Sequence, residues 1–230
     1  MPRSTRKAPA NVVPAAHLPV RRRGRVRFDA LLAATAELLG KQPMRDVSIY
    51  DIARKADVPA ASAYHFFPTA QSAFIELARQ YVARLREHVD RPLAGGGTVQ
   101  LHGWPDLLRI RFDRAAAFYN SDPVARRLFL SGEVTSEIRK IDIENSRLAA
   151  QRVYDWLDRY VVMPPLSDRD MRFIVLIAIY DGIWMTSCAQ HDRLTAAFCD
   201  EANKAAEAYC RTFLPADLPC RAPETAAGDS

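Results

Sequence analysis

No stretch of this chain alternates apolar and polar residues for long enough to build a sheet, and glycine is sparse, at 9 of 230 residues. The one glycine cluster, Gly95-Gly96-Gly97, lacks the lysine and the strand–helix setting of a phosphate-binding loop and reads as a flexible connector. Apolar runs are short. The longest, Phe173 to Tyr180, falls well below the ~18 residues of a membrane span, and no apolar core of signal-peptide length follows the basic N-terminus. A soluble, cytoplasmic protein with no membrane partner is the expectation. Cys188, Cys199, Cys210 and Cys220 lack the close pairing of a zinc or redox site and read as reduced thiols, Cys199 and Cys210 sharing a helical face. His88, His102 and His191 have no neighbours at metal or triad spacing. No metal site, cofactor or catalytic constellation is expected, and the chain does not read as an enzyme.

What is present is helical patterning and a lopsided charge. Residues 1–60 carry 12 Lys/Arg against 5 Asp/Glu, whereas residues 61–230 carry 20 against 22. One basic end on a mildly acidic body suits contact with a polyanion through that end alone. Residues 1–20, with Pro2, Pro9, Pro14 and Pro19 among small residues, read as a disordered arm. Phe28, Leu31, Leu32, Thr35 and Leu39 then keep helical spacing up to Gly40. Beyond Thr69, the residues Phe74, Leu77, Ala78, Tyr81 and Leu85 repeat it. Further helices are predicted near Pro105–Asn120, from Asp122-Pro123, from Thr135 to Val162, from a Ser167/Asp170 capping box to Gln190, and from Thr195 to Leu214. Pro215 to Ser230 reads as a loose tail. The fold class is all-α with about nine helices.

The segment Val47 to Phe74 carries the most information. Ser48 and Asp51 form a capping box, with Val47 and Ile52 as the apolar staple around it. Asp57 marks a turn that needs a residue tolerant of left-handed dihedrals. Pro59 suits the first turn of the next short helix, which Pro68 stops. Two short helices bent at a tight turn behind a basic segment are built to place one helix in the DNA major groove.

These residues resemble the DNA-binding domain of TetR-type transcriptional regulators. The match runs roughly from Arg25 to Tyr81 and is clearest at Ile52-Ala53, Ala56, Val58, Tyr64-His65 and Phe67. Asp57, Pro59 and Ala70 depart from the usual glycine, serine and lysine; the last puts one phosphate contact in doubt. The resemblance implies a small N-terminal helix-turn-helix domain, placed at residues 21–67, on a larger effector-binding and dimerisation domain at 68–214.

Ala60, Ala61 and Ser62 open the recognition helix with side chains small enough to sink into the groove, where alanine methyls meet thymine methyls and serine bonds base edges. Tyr64 and His65 are read as phosphate contacts, with partial burial the competing role for Tyr64. Ala63 and Phe67 go to the core. Ser48 and Thr69 stand at helix N-termini, where donors and dipole favour a phosphate. The run Arg21 to Arg27, with Arg25 as its candidate contact, lies along the backbone or enters the minor groove. Lys55 reads as a solvated helix charge.

The larger half is rich in aromatics at helical intervals, which are core more often than ligand wall. The resemblance nevertheless implies an effector pocket among the middle helices. Its candidate lining is Trp104, Phe112, Phe129, Asn145, Trp156 and Tyr160, Asn145 standing on an apolar face where it needs a partner. The helix around Phe173 to Trp184 is apolar almost all round and calls for burial on more than one side. With the last helix it predicts a homodimer seam of Phe173, Ile177, Tyr180, Gly182, Trp184, Phe198, Ala202, Ala205 and Tyr209. The expected partners are a double-stranded DNA operator, a second copy and a small apolar or aromatic effector. Two other readings remain open: an architectural DNA-binding protein without an effector, and an all-helical enzyme or carrier, for which no catalytic cluster is visible.

Overall fold

The computed structural model describes residues 13–93, 103–132 and 136–221; Gly95-Gly96-Gly97, His102 and several α7 side chains, Asn145 among them, lie outside the described set. Nine α-helices make up the described residues: α1 Arg22–Leu39, α2 Ile49–Lys55, α3 Ala60–Phe66, α4 Ala70–Val89, α5 Trp104–Ser121, α6 Pro123–Phe129, α7 Ser136–Asp158, α8 Arg169–His191 and α9 Ala196–Cys210. The all-α expectation holds. Two compact units divide the chain between Leu77 and Ala78, ten residues beyond the 67/68 boundary read from the sequence. Ala73, Phe74 and Leu77, from the first turns of α4, are buried with the helix-turn-helix core.

In the N-terminal unit α1 buries Phe28, Leu31, Leu32 and Leu39, and packs on α2 and α3. The α2 start is the predicted capping box: the Asp51 N–H donates to Ser48 Oγ at 3.2 Å, and the Ser48 N–H donates back to Asp51 Oδ2 at 3.1 Å. Val47 and Ile52 are both buried beside it. Asp57 adopts φ 52°, the left-handed bend that separates α2 from α3. Phe67, fully buried, stacks on Phe28 with ring centroids 4.8 Å apart. Lys55 is not a solitary solvated charge. Its Nζ lies 2.7 Å from Glu37 Oε2 and links α2 to α1.

Two boundaries move at this end. The first helix begins at Arg22 rather than near Phe28, so it takes up most of the basic run. No acidic residue offsets those arginines in the first turn, so they face the positive end of the helix dipole. Order also begins before residue 21. The His17 N–H donates to Phe66 O at 2.8 Å, His17 Nδ1–H to His65 O at 2.7 Å, and Ser72 Oγ to Pro14 O at 2.8 Å. The first two satisfy carbonyls at the C-terminus of α3 that a seven-residue helix cannot pair internally.

The C-terminal unit packs α5 against α6, α7 and α9, and α8 between α7 and α9. Phe112 stacks on Tyr180 with centroids 3.5 Å apart, and Trp184 packs against Phe112, Tyr180 and Tyr119. Three helix ends differ from the sequence reading. α7 stops at Asp158 because the backbone beyond it pairs with the chain end: the Val162 N–H donates to Pro219 O and the Arg221 N–H to Tyr160 O. The segment from Pro215 to Arg221 is therefore docked, with Leu218 buried. Ser167 does not cap α8. Asp168 occupies the N-cap in a left-handed conformation, and Ser167 O accepts from Arg172 Nε instead. α9 gives way after Cys210 to a turn in which Thr212 N–H reaches Tyr209 O. Burial raises the thiol pKa of Cys188 to about 11 and that of Cys210 to about 12, keeping both protonated.

By length and composition alone α8 is long and apolar enough to cross a bilayer. This departs from the expectation based on uninterrupted runs. Its inner face, however, is buried among helices through Phe173, Leu176, Tyr180 and Trp184.

A charged clasp joins α4, α5 and α7. Arg111, only 4% exposed, donates from Nη1 to Asp90 Oδ1 at 2.6 Å and to Val89 O at 3.3 Å, and Arg152 Nη1 donates to Asp90 Oδ2 at 2.6 Å. Burial pushes the Asp90 carboxyl up, but the two guanidiniums outweigh it and hold the group below its ordinary value of 3.8. A depressed folded-state pKa contributes stability above the unfolded value and loses it as pH falls through the folded one. Asp90→Asn should therefore cost ~1–3 kcal/mol at neutral pH. The gap in urea midpoint from the parent protein should close between about pH 5 and pH 2. A gap that stays constant with pH would show that the clasp adds no charge-linked stability.

Candidate nucleic-acid interface and ligand cavity

The bend at Asp57 leaves one edge of α2 and α3 open. Ser48, Tyr50, Arg54, Ala61, Tyr64 and His65 are exposed, while Ala60 and Ser62 are half-buried. Ala61, Ser62 and His65 share a shallow groove with Arg23, Gly24, Arg27 and Phe66. Arg23 and Arg27 are one helical turn apart, so both flank α3. Arg25, the sequence candidate, lies about 200° further round α1 than Arg23 and is exposed away from that groove. The alternating run did not reveal which arginine face meets α3. Gly24 settles it by close approach: a Cβ there would sit 3.2 Å from Pro19 Cβ and 3.6 Å from the Phe66 ring.

Tyr64 is 39% exposed, and its ring meets Tyr50 edge-on at 5.5 Å. A hydrogen bond to Tyr50 raises the Tyr64 phenol above its ordinary pKa. Tyr50, 62% exposed, was missed in the sequence; no helical spacing links it to Tyr64, and only the Asp57 turn brings them together. His65 exposes its ring while its carbonyl is held by His17. The Ser48 hydroxyl is already committed, donating to Asp51 Oδ2 at 2.5 Å and accepting from the Asp51 N–H. Asp51 is kept below its ordinary pKa chiefly by the Ser48 hydroxyl, with Arg54 adding to it. A carboxylate beside the α2 N-terminus makes Ser48 a weaker phosphate site than its cap position alone suggests. Thr69 is half-buried and caps α4, accepting from the Ser72 N–H at 3.1 Å.

In the C-terminal unit a cavity of about 110 Å³ lies among α4, α5, α6, α7 and α8. Its apolar wall includes Val82, Leu85, Phe112, Tyr119, Phe129, Val153, Ile177 and Trp184, and its polar wall includes Arg86, Arg111, Ser146, Arg152 and Asp181. Of the six expected lining residues, Phe112 and Phe129 are there. Trp104 is buried elsewhere, donating from Nε1 to Pro215 O at 2.9 Å. Trp156 is buried against Tyr160, whose hydroxyl accepts from the Leu93 N–H at 3.0 Å. Asn145 lies on α7, its side chain outside the described set. The arginines were missed because each is an ordinary helix-surface residue in sequence. Among the described residues no three His, Cys, Asp or Glu side chains gather as metal ligands.

Residues 31–75 match the bacterial regulatory proteins of the tetR family, and residues 102–214 match the tetracyclin repressor-like C-terminal domain. The chain belongs to the TetR family. Solved structures share its fold. A TetR-family transcriptional regulator from Streptomyces coelicolor is 22% identical, with 82% of this chain and 98% of that one covered at a TM-score of 0.60. A TetR transcriptional regulator from Rhodococcus sp. RHA1 is 15% identical, with 82% and 97% covered at 0.57. NalD, the secondary repressor of the MexAB-OprM multidrug efflux pump in Pseudomonas aeruginosa, is 18% identical, with 85% and 99% covered at 0.52. No curated protein matches the chain.

As a TetR-family regulator the protein binds DNA, and α2–turn–α3 is its helix-turn-helix. The residues proposed for dimerisation fall into two groups. Phe173, Tyr180 and Ala202 are spent in the protomer's own core, and Ile177 and Trp184 face the cavity. Gly182 is exposed, and Phe198, Ala205 and Tyr209 are half-buried on α9. The α8 helix is apolar almost all round from Phe173 to Trp184, so sequence spacing alone could not tell its inner from its outer face.

Two substitutions separate base reading from backbone contact. Ala61→Glu, at an exposed position, should abolish discrimination between operator and random duplex while the thermal midpoint stays unchanged. Arg27→Ala should weaken binding to all duplexes alike and reduce the log–log salt slope by about 1. Operator preference surviving Ala61→Glu in a competition assay would take α3 out of the major groove.

Proposed function

We propose that this TetR-family regulator is a homodimeric repressor that binds a double-stranded operator in the cytoplasm and is released from it by a small apolar or aromatic ligand. The cavity carries this reading. Its walls come from five helices, and a space with apolar walls and a few polar groups is the usual form of a small-molecule site. NalD, a repressor of a multidrug efflux pump, shares the fold. On this reading Ala60, Ala61 and Ser62 read base edges, and Tyr50, Tyr64, His65, Arg23 and Arg27 hold phosphates. A purely architectural role would leave the cavity without a purpose.

The outer face of α8 supports the homodimer. Val175, Ala178, Ile179, Gly182 and Ile183 follow helical spacing and are exposed or half-buried. Two copies also give the reach that one recognition helix lacks, with half-sites about 34 Å apart.

Release is a population shift: the ligand must favour a conformation whose recognition helices no longer fit both half-sites. Operator sequences retained from a random duplex pool supply the DNA for the decisive measurement. Ligand affinity is then titrated with and without operator. Linkage requires each to weaken the other by the same factor, for a coupling of ~1–3 kcal/mol. Equal ligand affinity in both titrations would reject induction by that compound.

Gly182→Leu tests the seam. A Cβ at Gly182 meets nothing within 4 Å inside the protomer, so the substitution should leave the protomer's fold intact. Overpacking between two copies should cost ~1–3 kcal/mol and raise the monomer fraction in light scattering at low concentration. A variant as dimeric as its parent would remove this face of α8 from the interface.

A further inference from the structure

The cavity's charges do not balance. Arg86, Arg111 and Arg152 line it, whereas among the described residues the acidic groups that line it or pair with them are Asp181 and Asp90, three positive charges against two. Asp90 is shared, one oxygen to each guanidinium. Arg111 is further occupied by Val89 O. Arg152 spends a single hydrogen bond on Asp90 and keeps its remaining donors for another acceptor. Burial, together with the nearby Arg152 and Arg159, pulls the Arg111 pKa below its ordinary value, while Asp90 opposes the fall. An added anion would relieve that crowding of positive charge.

A second observation is independent of charge. Trp184 is 3% exposed and lines the cavity, yet its Nε1–H has no acceptor among the described residues. The ring therefore belongs to the apolar wall, while its Nε1 is closed off from the cavity space. Trp156 Nε1 is likewise unpaired but does not line the cavity.

Resting on the ligand-released reading above, we infer that the effector is an anion, an aromatic or apolar carboxylate. Its carboxylate accepts from Arg152, and its apolar part lies against Phe112, Tyr119, Phe129 and the Trp184 ring. A guanidinium is a pure donor, so it suits a group that only accepts. A cationic or neutral compound would leave the surplus charge uncompensated.

Matched pairs test this on the full-length protein by calorimetry: phenylacetate against phenylacetamide, and octanoate against octanamide. Each carboxylate should bind about tenfold or more tightly than its amide, as a charge-assisted hydrogen bond implies. Arg152→Gln should bring the members of each pair level, and Arg152→Lys should retain most of the preference. Thermal melts report whether each variant folds; if Arg152→Gln does not, the parent protein's preference and Arg152→Lys decide. Amides binding as well as carboxylates to the parent protein would overturn the anionic class and leave the cavity standing as an effector site. A carboxylate preference unchanged in Arg152→Gln would overturn the assignment to Arg152. No binding by any of the four compounds would count against both this inference and the effector cavity.

Discussion

The Asp90 carboxylate organises the C-terminal unit. It sits just past the end of α4 and takes one guanidinium from α5 and one from α7, so three helices meet at a single acidic group. Arg111 is nearly as buried as the aromatic core around it. A buried charge persists only when it is paired and its donors are used, which fixes the positions of α5 and α7 relative to the end of α4. The same requirement shapes the cavity. Leaving two arginines on one aspartate builds a positive wall into a space otherwise lined by aromatic and aliphatic side chains.

The N-terminal unit rests on backbone conformation instead. Asp57 at φ 52° takes the place where glycine is common, and the cost of a non-glycine residue there is modest for aspartate. The bend lets Tyr50 meet Tyr64 and aligns α3 with the arginine face of α1. The segment from Pro14 to His17 then occupies carbonyls at the end of α3 and an oxygen at the start of α4. A helix of seven residues has too few internal hydrogen bonds to be stable alone. Both ends of α3 are therefore held from outside: Pro59 and the Asp57 turn at one, His17 at the other.

How much of this was legible follows from the range of each interaction. Local signals were readable: the Ser48/Asp51 box, the Asp57 turn, the Pro68 stop and the Asp122 cap of α6 all act within a few residues. The resemblance to TetR-type regulators rested on those fixed spacings. Contacts between distant segments were not readable. His17 on α3, Leu218 and Cys220 against the end of α7, and Arg111 and Arg152 on Asp90 join residues whose types are unremarkable where they stand. Trp104, Trp156 and Tyr160 were drawn to the pocket by aromatic character alone, yet each is engaged in packing or tail docking. The cap at Ser167 failed for a different reason. Its motif was present, but Asp168 turned left-handed and took the N-cap one residue later.

α8 shows why a helix apolar on most of its faces is ambiguous in sequence. Its inner face divides between core, through Phe173, Leu176 and Tyr180, and cavity wall, through Ile177, Asp181 and Trp184. Its outer face, around Ala178 and Gly182, has no neighbour within the protomer close enough to meet an added Cβ at Gly182. Helix shifts of one or two ångströms are a common form of switching in packed helical proteins. A ligand in the proposed site would press on the same helix that carries the proposed dimer seam. Because close-packed cores move between discrete arrangements rather than deforming continuously, the proposed effector site and the proposed dimer seam would communicate through one helix, with no longer relay required.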